Sequence, residues 1–316
     1  MARKSGRTAT AIAGLSFGLA LGIGAGMYVL APNVAGGPNQ TTSTLERERD
    51  DALESAQIAK AQAKSADSVV SALGRGITTD LLKEKKVLVF RTSDSLDSDA
   101  DALSEAIKSA GAENAGTIKL GEKFFTQEGA DGLKNIIATT LPAGAQLSTE
   151  KMDSGTHAGD ALGSALLLNK DDGSEQANKE DRGIVLGALR ESGYIDFDEA
   201  SVKPAHAIVL LSGDSDGSKA AFSIKNQVSF ATALKSKGSG LLVAGRIHTA
   251  SDAGLLGTIR TSAQDKQAVS TIDSIDQNWA QIAAILALKE QIDGKSGAYG
   301  AAGNVDATSP GIKNPE

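Results

Sequence analysis

The chain has 316 residues, a formal net charge of −7, aromatic residues at only 3% and no cysteine. This acidic balance, with no basic block beyond the N-terminus, speaks against a nucleic-acid partner, because phosphate binding needs clustered Lys and Arg. Sparse aromatics speak against a carbohydrate-stacking surface, and without disulfides any exported domain must rely on a hydrophobic core.

From Thr8 to Ala31 no residue is charged. At about 1.5 Å per helical residue the segment reaches roughly 35 Å, enough to cross a bilayer core. Gly14, Gly18, Gly22 and Gly26 recur every fourth residue and share one helix face. A face without Cβ atoms lets a second helix approach closely, the small-xxx-small mode of membrane packing. The competing reading is that glycine is simply frequent in transmembrane helices. Arg3, Lys4 and Arg7 precede the segment, whereas Glu46 to Asp51 set four carboxylates against two arginines. The positive-inside rule then makes 1–7 a cytoplasmic tail and 8–31 a single-pass anchor in the inner (plasma) membrane. Everything beyond it faces the periplasm-like space. The alternative is a cleaved signal peptide, whose apolar core would be shorter, about 7–15 residues. Its best cleavage site, Val29-Leu30-Ala31, runs straight into Pro32.

Residues 32–44, rich in Gly, Pro, Asn, Ser and Thr, read as a flexible linker. Residues 45–75 then read as an Ala-rich coiled coil. Leu45, Ala52, Ala56, Ala59, Ala63, Ala66, Val70 and Leu73 follow a 4-3 register in which Arg49 is the misfit. Alanine knobs bury little area, so this pairing is close but weak by itself. The competing reading is a single Ala-rich helix favoured by propensity alone. With the glycine stripe, the seam predicts a homodimer. Gly74 and Gly76 are expected to end the helix.

Residues 76–293 alternate short apolar runs with helical stretches. Val87–Phe90, Thr117–Leu120, Ala207–Leu211 and Leu241–Ala244 read as buried strands. Helices are expected over 97–110, 132–141, 179–192, 218–237 and 278–292. Residues 161–168 fit either a strand or a buried helix. This alternation predicts an exported α/β domain: a three-layer, Rossmann-like fold with a mostly parallel sheet. The tail, 294–316, carries Gly, Ala, Pro and Asn and is expected to be disordered.

Enzyme chemistry finds little support. Gly294-Lys295-Ser296 resembles the end of a phosphate loop, but Lys289 stands where the first glycine belongs and a helix precedes it. Asp214-Ser215-Asp216-Gly217 resembles a calcium loop without its downstream acidic ligand and reads as an acidic turn. No nucleophile elbow is identified. His157, His206 and His248 form no pair at ligand spacing, and His157 reads as a solvated loop residue. Copper(I) favours thiolate and thioether ligands, and Met152 is the single such residue after the anchor. No metal or cofactor is therefore expected. Ligands of parallel α/β sheets gather beyond the strand carboxyl ends. Those positions hold Arg91, Thr92, Asp94, Ser212, Asp214 and Arg246; Asp273 and Asp276 lie in a loop that could join them, and together Arg91, Asp94, Asp214, Arg246, Asp273 and Asp276 are nominated as a groove for a peptide or protein. Solvated loop termini are the competing reading.

Several stretches carry a resemblance: Pro142 to Thr149, Ala158-Gly159-Asp160 to Leu168, Gly240 to Arg246, Val269 to Asp276, Leu286 to Gln291, and Gly297-Ala298-Tyr299-Gly300. In this order they resemble the actinobacterial MctB/SteB family, also called the copper transport outer membrane protein family. The family name implies copper transport, but one helical anchor is not the set of amphipathic strands that a membrane barrel needs. The resemblance to corynebacterial SteB-like members implies a role in daughter-cell separation. It implies pairing with a SteA-like membrane partner, and activation of a RipA-like septal peptidoglycan hydrolase through a helical segment. It carries over no catalytic motif.

Overall fold

The computed structural model describes residues 38–311. The chain divides into two compact units, one ending at Val70 and the other beginning at Ser71. The proposed anchor, 8–31, lies outside the described residues. Among those residues no helix is long and apolar enough to cross a membrane.

A 41-residue helix, α1 (Pro38–Thr78), opens the described chain. It begins inside the stretch expected to be a linker, with proline in the first helical position, where its missing N–H is no loss. It also runs through Gly74 and Gly76, which were expected to end it. A Cβ at Gly74 would lie 2.0 Å from Ile282 Cδ1, so this glycine serves close packing instead. The stop comes at Asp80, which takes the left-handed conformation (φ 62°) that usually falls to a C-terminal glycine.

The second unit is an α/β fold around a seven-stranded sheet. Its strands are β1 (Lys86–Arg91), β2 (Glu113–Leu120), β3 (Ile195–Phe197), β4 (Ala207–Leu211), β5 (Gly240–Ala244), β6 (Ser270–Ile272) and β7 (Ala298–Tyr299). Their spatial order is β3-β2-β1-β4-β5-β6-β7, and only the edge strand β3 is antiparallel. The continuous apolar runs of β1, β4 and β5 make sense because alternate residues feed opposite faces. Leu88, Phe90, Ile208, Leu210, Leu241 and Val243 enter one core, while Val87, Val89, Val209, Leu211, Leu242 and Ala244 enter the other.

The first core is covered by α3 (Gln127–Thr140), α4 (Ser154–Leu166), α5 (Lys179–Glu191), α6 (Ala221–Ser236) and α7 (Leu255–Thr261). The second is covered by α2 (Asp97–Ser109) and α9 (Asn278–Ile292); a short α8 (Ala263–Ala268) precedes β6. Phe124, Phe125 and Phe90 each meet Phe230 edge to face, with ring centroids 5.4–5.6 Å apart. Such pairs add about 0.5–1.5 kcal/mol each beyond area burial.

Every residue of α4 is buried. The ambiguous 161–168 run is therefore helix up to Leu166, with Leu167 pairing to Ala205 and Leu168 to Glu175. Three glycines on α4, Gly155, Gly159 and Gly163, press against α6. A Cβ at Gly155 would sit 2.1 Å from the Asn226 carbonyl, and one at Gly159 would sit 2.6 Å from both Ala233 Cβ and the Phe230 carbonyl. His157 is in this helix, not in a solvated loop; it is 8% exposed, and its Nε2–H donates to the Ser148 carbonyl at 3.1 Å.

The tail expected to be disordered supplies β7 and the segment after it. Arg260 is the fastener. Its guanidinium donates to Asp273 Oδ2 (2.9 Å), Thr271 Oγ1 (2.9 Å), Asn304 Oδ1 (2.9 Å) and the Tyr299 carbonyl (2.7 Å). Asp273 also accepts the Ala301 N–H at 2.7 Å. Composition suggested disorder; buried charge pairing from elsewhere in the chain overrides it.

A candidate binding crevice at the carboxyl edge of the sheet

The chain leaves β1 toward the α2 face and leaves β4 toward the α6 face. Neighbouring strands whose connections part to opposite faces open a crevice beyond their carboxyl ends. Here it is a cavity of about 120 Å³. Thr92, Ser93 and Asp94 line it after β1, Gly121 and Glu122 after β2, and Ser212 and Ser215 after β4; Ser223 and Gln227 of α6 and Thr249 complete the polar wall. Backbone crowding explains the Ser212-Gly213 pair, since a Cβ at Gly213 would lie 2.4 Å from the Asp94 carbonyl.

The crevice wall is held by its own hydrogen bonds. Thr92 Oγ1 donates to Asp94 Oδ1 (2.5 Å), and Thr249 Oγ1 donates to the Arg246 carbonyl (2.6 Å). Arg91 turns back on its own loop, meeting Asp97 at 2.7 Å and donating to Ser95 Oγ at 3.1 Å. Arg246 grips buried Asp99 of α2 with two bonds, 2.7 and 2.9 Å. That pairing raises its pKa above the usual arginine value, and the charges of Asp276 and Asp214 add to it. Asp214 accepts from His248, Nδ1 to Oδ1 at 2.9 Å, and Asp276 is exposed beside Gln277.

Of the six nominated groove residues, Asp94 lines the crevice, Arg91 closes β1 at the same edge, and Asp214, Arg246 and Asp276 stand on loops there. Asp273 does not: it is 0% exposed and serves the Arg260 ion pair. It directly follows β6, a strand the sequence does not reveal, and its side chain turns inward. Both arginines are committed to internal pairs, so the edge is more acidic than its composition suggests. Glu122 and Thr249 were missed, although each follows a strand, the rule that nominated the others.

The spacing Gly213-Asp214-Ser215-Asp216-Gly217 is that of a nucleophile elbow, which the motif reading passed over. The geometry is not. β4 ends at Leu211 and α6 starts only at Ala221, so Ser215 is not on a tight strand-to-helix turn. Its Oγ accepts the Gly217 N–H at 3.2 Å, and among the described residues no imidazole reaches it. Nor do the described residues contain a group of three or more His, Cys, Asp or Glu placed to share a metal ion. His206 Nδ1 accepts the Lys86 N–H at 3.0 Å; burial and the neighbouring Lys85 and Lys86 push its pKa down.

Gly14, Gly18, Gly22 and Gly26 of the proposed dimer face lie outside the described residues. In α1, Ala52, Ala56 and Ala63 are exposed, Ala59, Ala66 and Val70 are half-buried, and Leu73 is 55% exposed. Ile77, also exposed, extends the 4-3 register by one more position.

A family profile described as "Copper transport outer membrane protein, MctB" matches residues 5–310. The proteins named "Copper transporter MctB" of Mycobacterium tuberculosis and Mycobacterium bovis are each 32% identical to it over 288 residues, 90% of this chain and 92% of theirs. The Mycobacterium leprae protein of that name is 34% identical over 234 residues, 72% of this chain and 74% of its own. A profile spanning nearly the whole sequence and relatives above 30% identity at this coverage establish that the chain belongs to the MctB family.

Proposed function

We propose that the protein is a non-enzymatic envelope regulator, held by the 8–31 anchor as a homodimer in the inner membrane. Its domain binds an autoinhibited septal peptidoglycan hydrolase and, with a SteA-like membrane partner, shifts that enzyme to its open state during daughter-cell separation. The observation that carries this reading is the crevice itself. It occupies the ligand position of an α/β sheet, yet its only serine at elbow spacing lacks an imidazole partner among the described residues, and its arginines are consumed by internal ion pairs. Such an edge suits docking better than turnover. The 4-3 seam of α1 supports two-fold pairing. The test is a deletion strain complemented with the full-length protein. Chained, unseparated cells with reduced septal hydrolase activity are expected; normal separation overturns the proposal.

Copper handling is the second reading, favoured by the name its relatives carry, copper transporter MctB. The donor set is poor for it. There is no cysteine, Met152 is the lone methionine among the described residues, and the three histidines stand apart, each with its own protein partner. Copper sensitivity of the deletion strain with unchanged septation selects this reading over the first.

A further inference from the structure

Among the described residues, Asp94 and Glu122 line the crevice without any cation within ion-pair distance. Ser212, just after β4, lines the same cavity; it is 4% exposed, and its Oγ makes no hydrogen bond to any described residue. With its residue walled in and no protein partner, this hydroxyl is left to whatever occupies the crevice. Two whole negative charges outweigh the roughly half positive charge at the start of α6, and Asp214 and Asp216 on the adjoining loop deepen the negative field. The ligand must therefore be cationic. It must also be small, because sites for whole metabolites usually run to about 300–1,000 Å³, well above the 120 Å³ available.

We infer that the crevice seats the ammonium end of one lysine side chain of a protein partner; this rests on the docking role proposed above. An ammonium group carries three donors on a compact point charge. The Asp94 carboxylate, the Glu122 carboxylate and Ser212 Oγ, which line this one small cavity, are the acceptors it would meet. Arginine fits less well, since its planar fork seeks both oxygens of one carboxylate, and Asp94 Oδ1 already accepts from Thr92. The exposed apolar side chains Leu96, Phe222 and Ile247 stand at the same carboxyl edge, at the starts of α2, α6 and the turn after β5. They supply contact for the rest of the partner.

The test uses the full-length chain in lipid nanodiscs, labelled with [15N]serine and titrated with Nα-acetyl-lysine N-methylamide. The amide signals of Ser93, Ser212, Ser215 and Ser223 should move together and saturate. The Nε-acetylated analogue should leave them still, and the arginine analogue should bind more weakly. Asp94→Asn or Glu122→Gln should each weaken binding about tenfold, and the double variant should abolish it with an unchanged melting temperature. Equal shifts with the Nε-acetylated analogue, or no shift with lysine, overturn the site. If the double variant loses lysine binding but captures the hydrolase at full strength, the partner does not use this crevice and the inference fails while the docking role stands. If wild-type protein binds lysine but never captures the hydrolase, the site stands and the docking role fails.

Discussion

Gly159→Ala probes the close packing of α4 against α6. The added methyl would sit 2.6 Å from Ala233 Cβ, 2.6 Å from the Phe230 carbonyl and 3.1 Å from the Leu234 nitrogen. Two of these three neighbours are α6 backbone, so no rotamer change relieves the clash and the helices must separate. α4 has no free side to retreat toward, because all of its residues are buried. Overpacking of a tight core costs about 1–3 kcal/mol, and backbone neighbours place this site at the upper end. Alanine returns about 1 kcal/mol of helix propensity, leaving a net loss of about 2 kcal/mol. For a domain of this size the melting temperature should fall by about 4–8 °C. Gly187→Ala is the control: a Cβ there meets nothing within 4 Å, and Gly187 lies within α5. It should stabilise by up to about 1 kcal/mol. Thermal melts of the two variants, followed by circular dichroism, decide the matter. A Gly159→Ala protein as stable as Gly187→Ala would refute the packing argument.

Arg260→Ala should cost about 3–5 kcal/mol by stranding the buried Asp273 carboxylate; denaturant melts measure this, and limited proteolysis should show early cleavage after residue 297. His206 should make stability depend on pH. Its neutral ring accepts the Lys86 N–H and its folded pKa lies below the ordinary 6.5, so its contribution is complete above pH 6.5 and is lost as pH falls through the interval beneath that value. Urea midpoints measured between pH 8 and pH 5 should fall more for the wild type than for His206→Gln. Gly18→Ile with Gly22→Ile should weaken self-association of the membrane segment, and Ala59→Glu with Ala63→Glu should weaken pairing of the α1 seam. Sedimentation of the full-length chain in detergent should then show monomer; an undiminished dimer removes both faces from the argument.

Local pattern carried much of the architecture. Val87–Phe90, Ala207–Leu211 and Leu241–Ala244 are unbroken β-prone runs, and such runs suit only strands covered on both faces. With the helices between them they specify a mostly parallel sheet. β6 and β7 were not legible. Ser270-Thr271-Ile272 has one strongly apolar residue, and Ala298-Tyr299 is two residues long. Both are strands because neighbours pair with them and Arg260 holds the loop behind them.

Position relative to the sheet was likewise readable for Asp94, Asp214 and Arg246, because chain order places strand ends. Which way each side chain faces was not. Asp273 turns inward to a guanidinium thirteen residues upstream, whereas Arg246 spends its charge on Asp99, 147 residues away. The amino-acid order alone determined the apolar segment, the seam and the alternation of elements, since these depend on neighbours within a few residues. The crevice, its surplus of unpaired carboxylates and the ordered C-terminal strand were decided only by tertiary structure, because partners remote in sequence settle which charges cancel and which are left facing solvent.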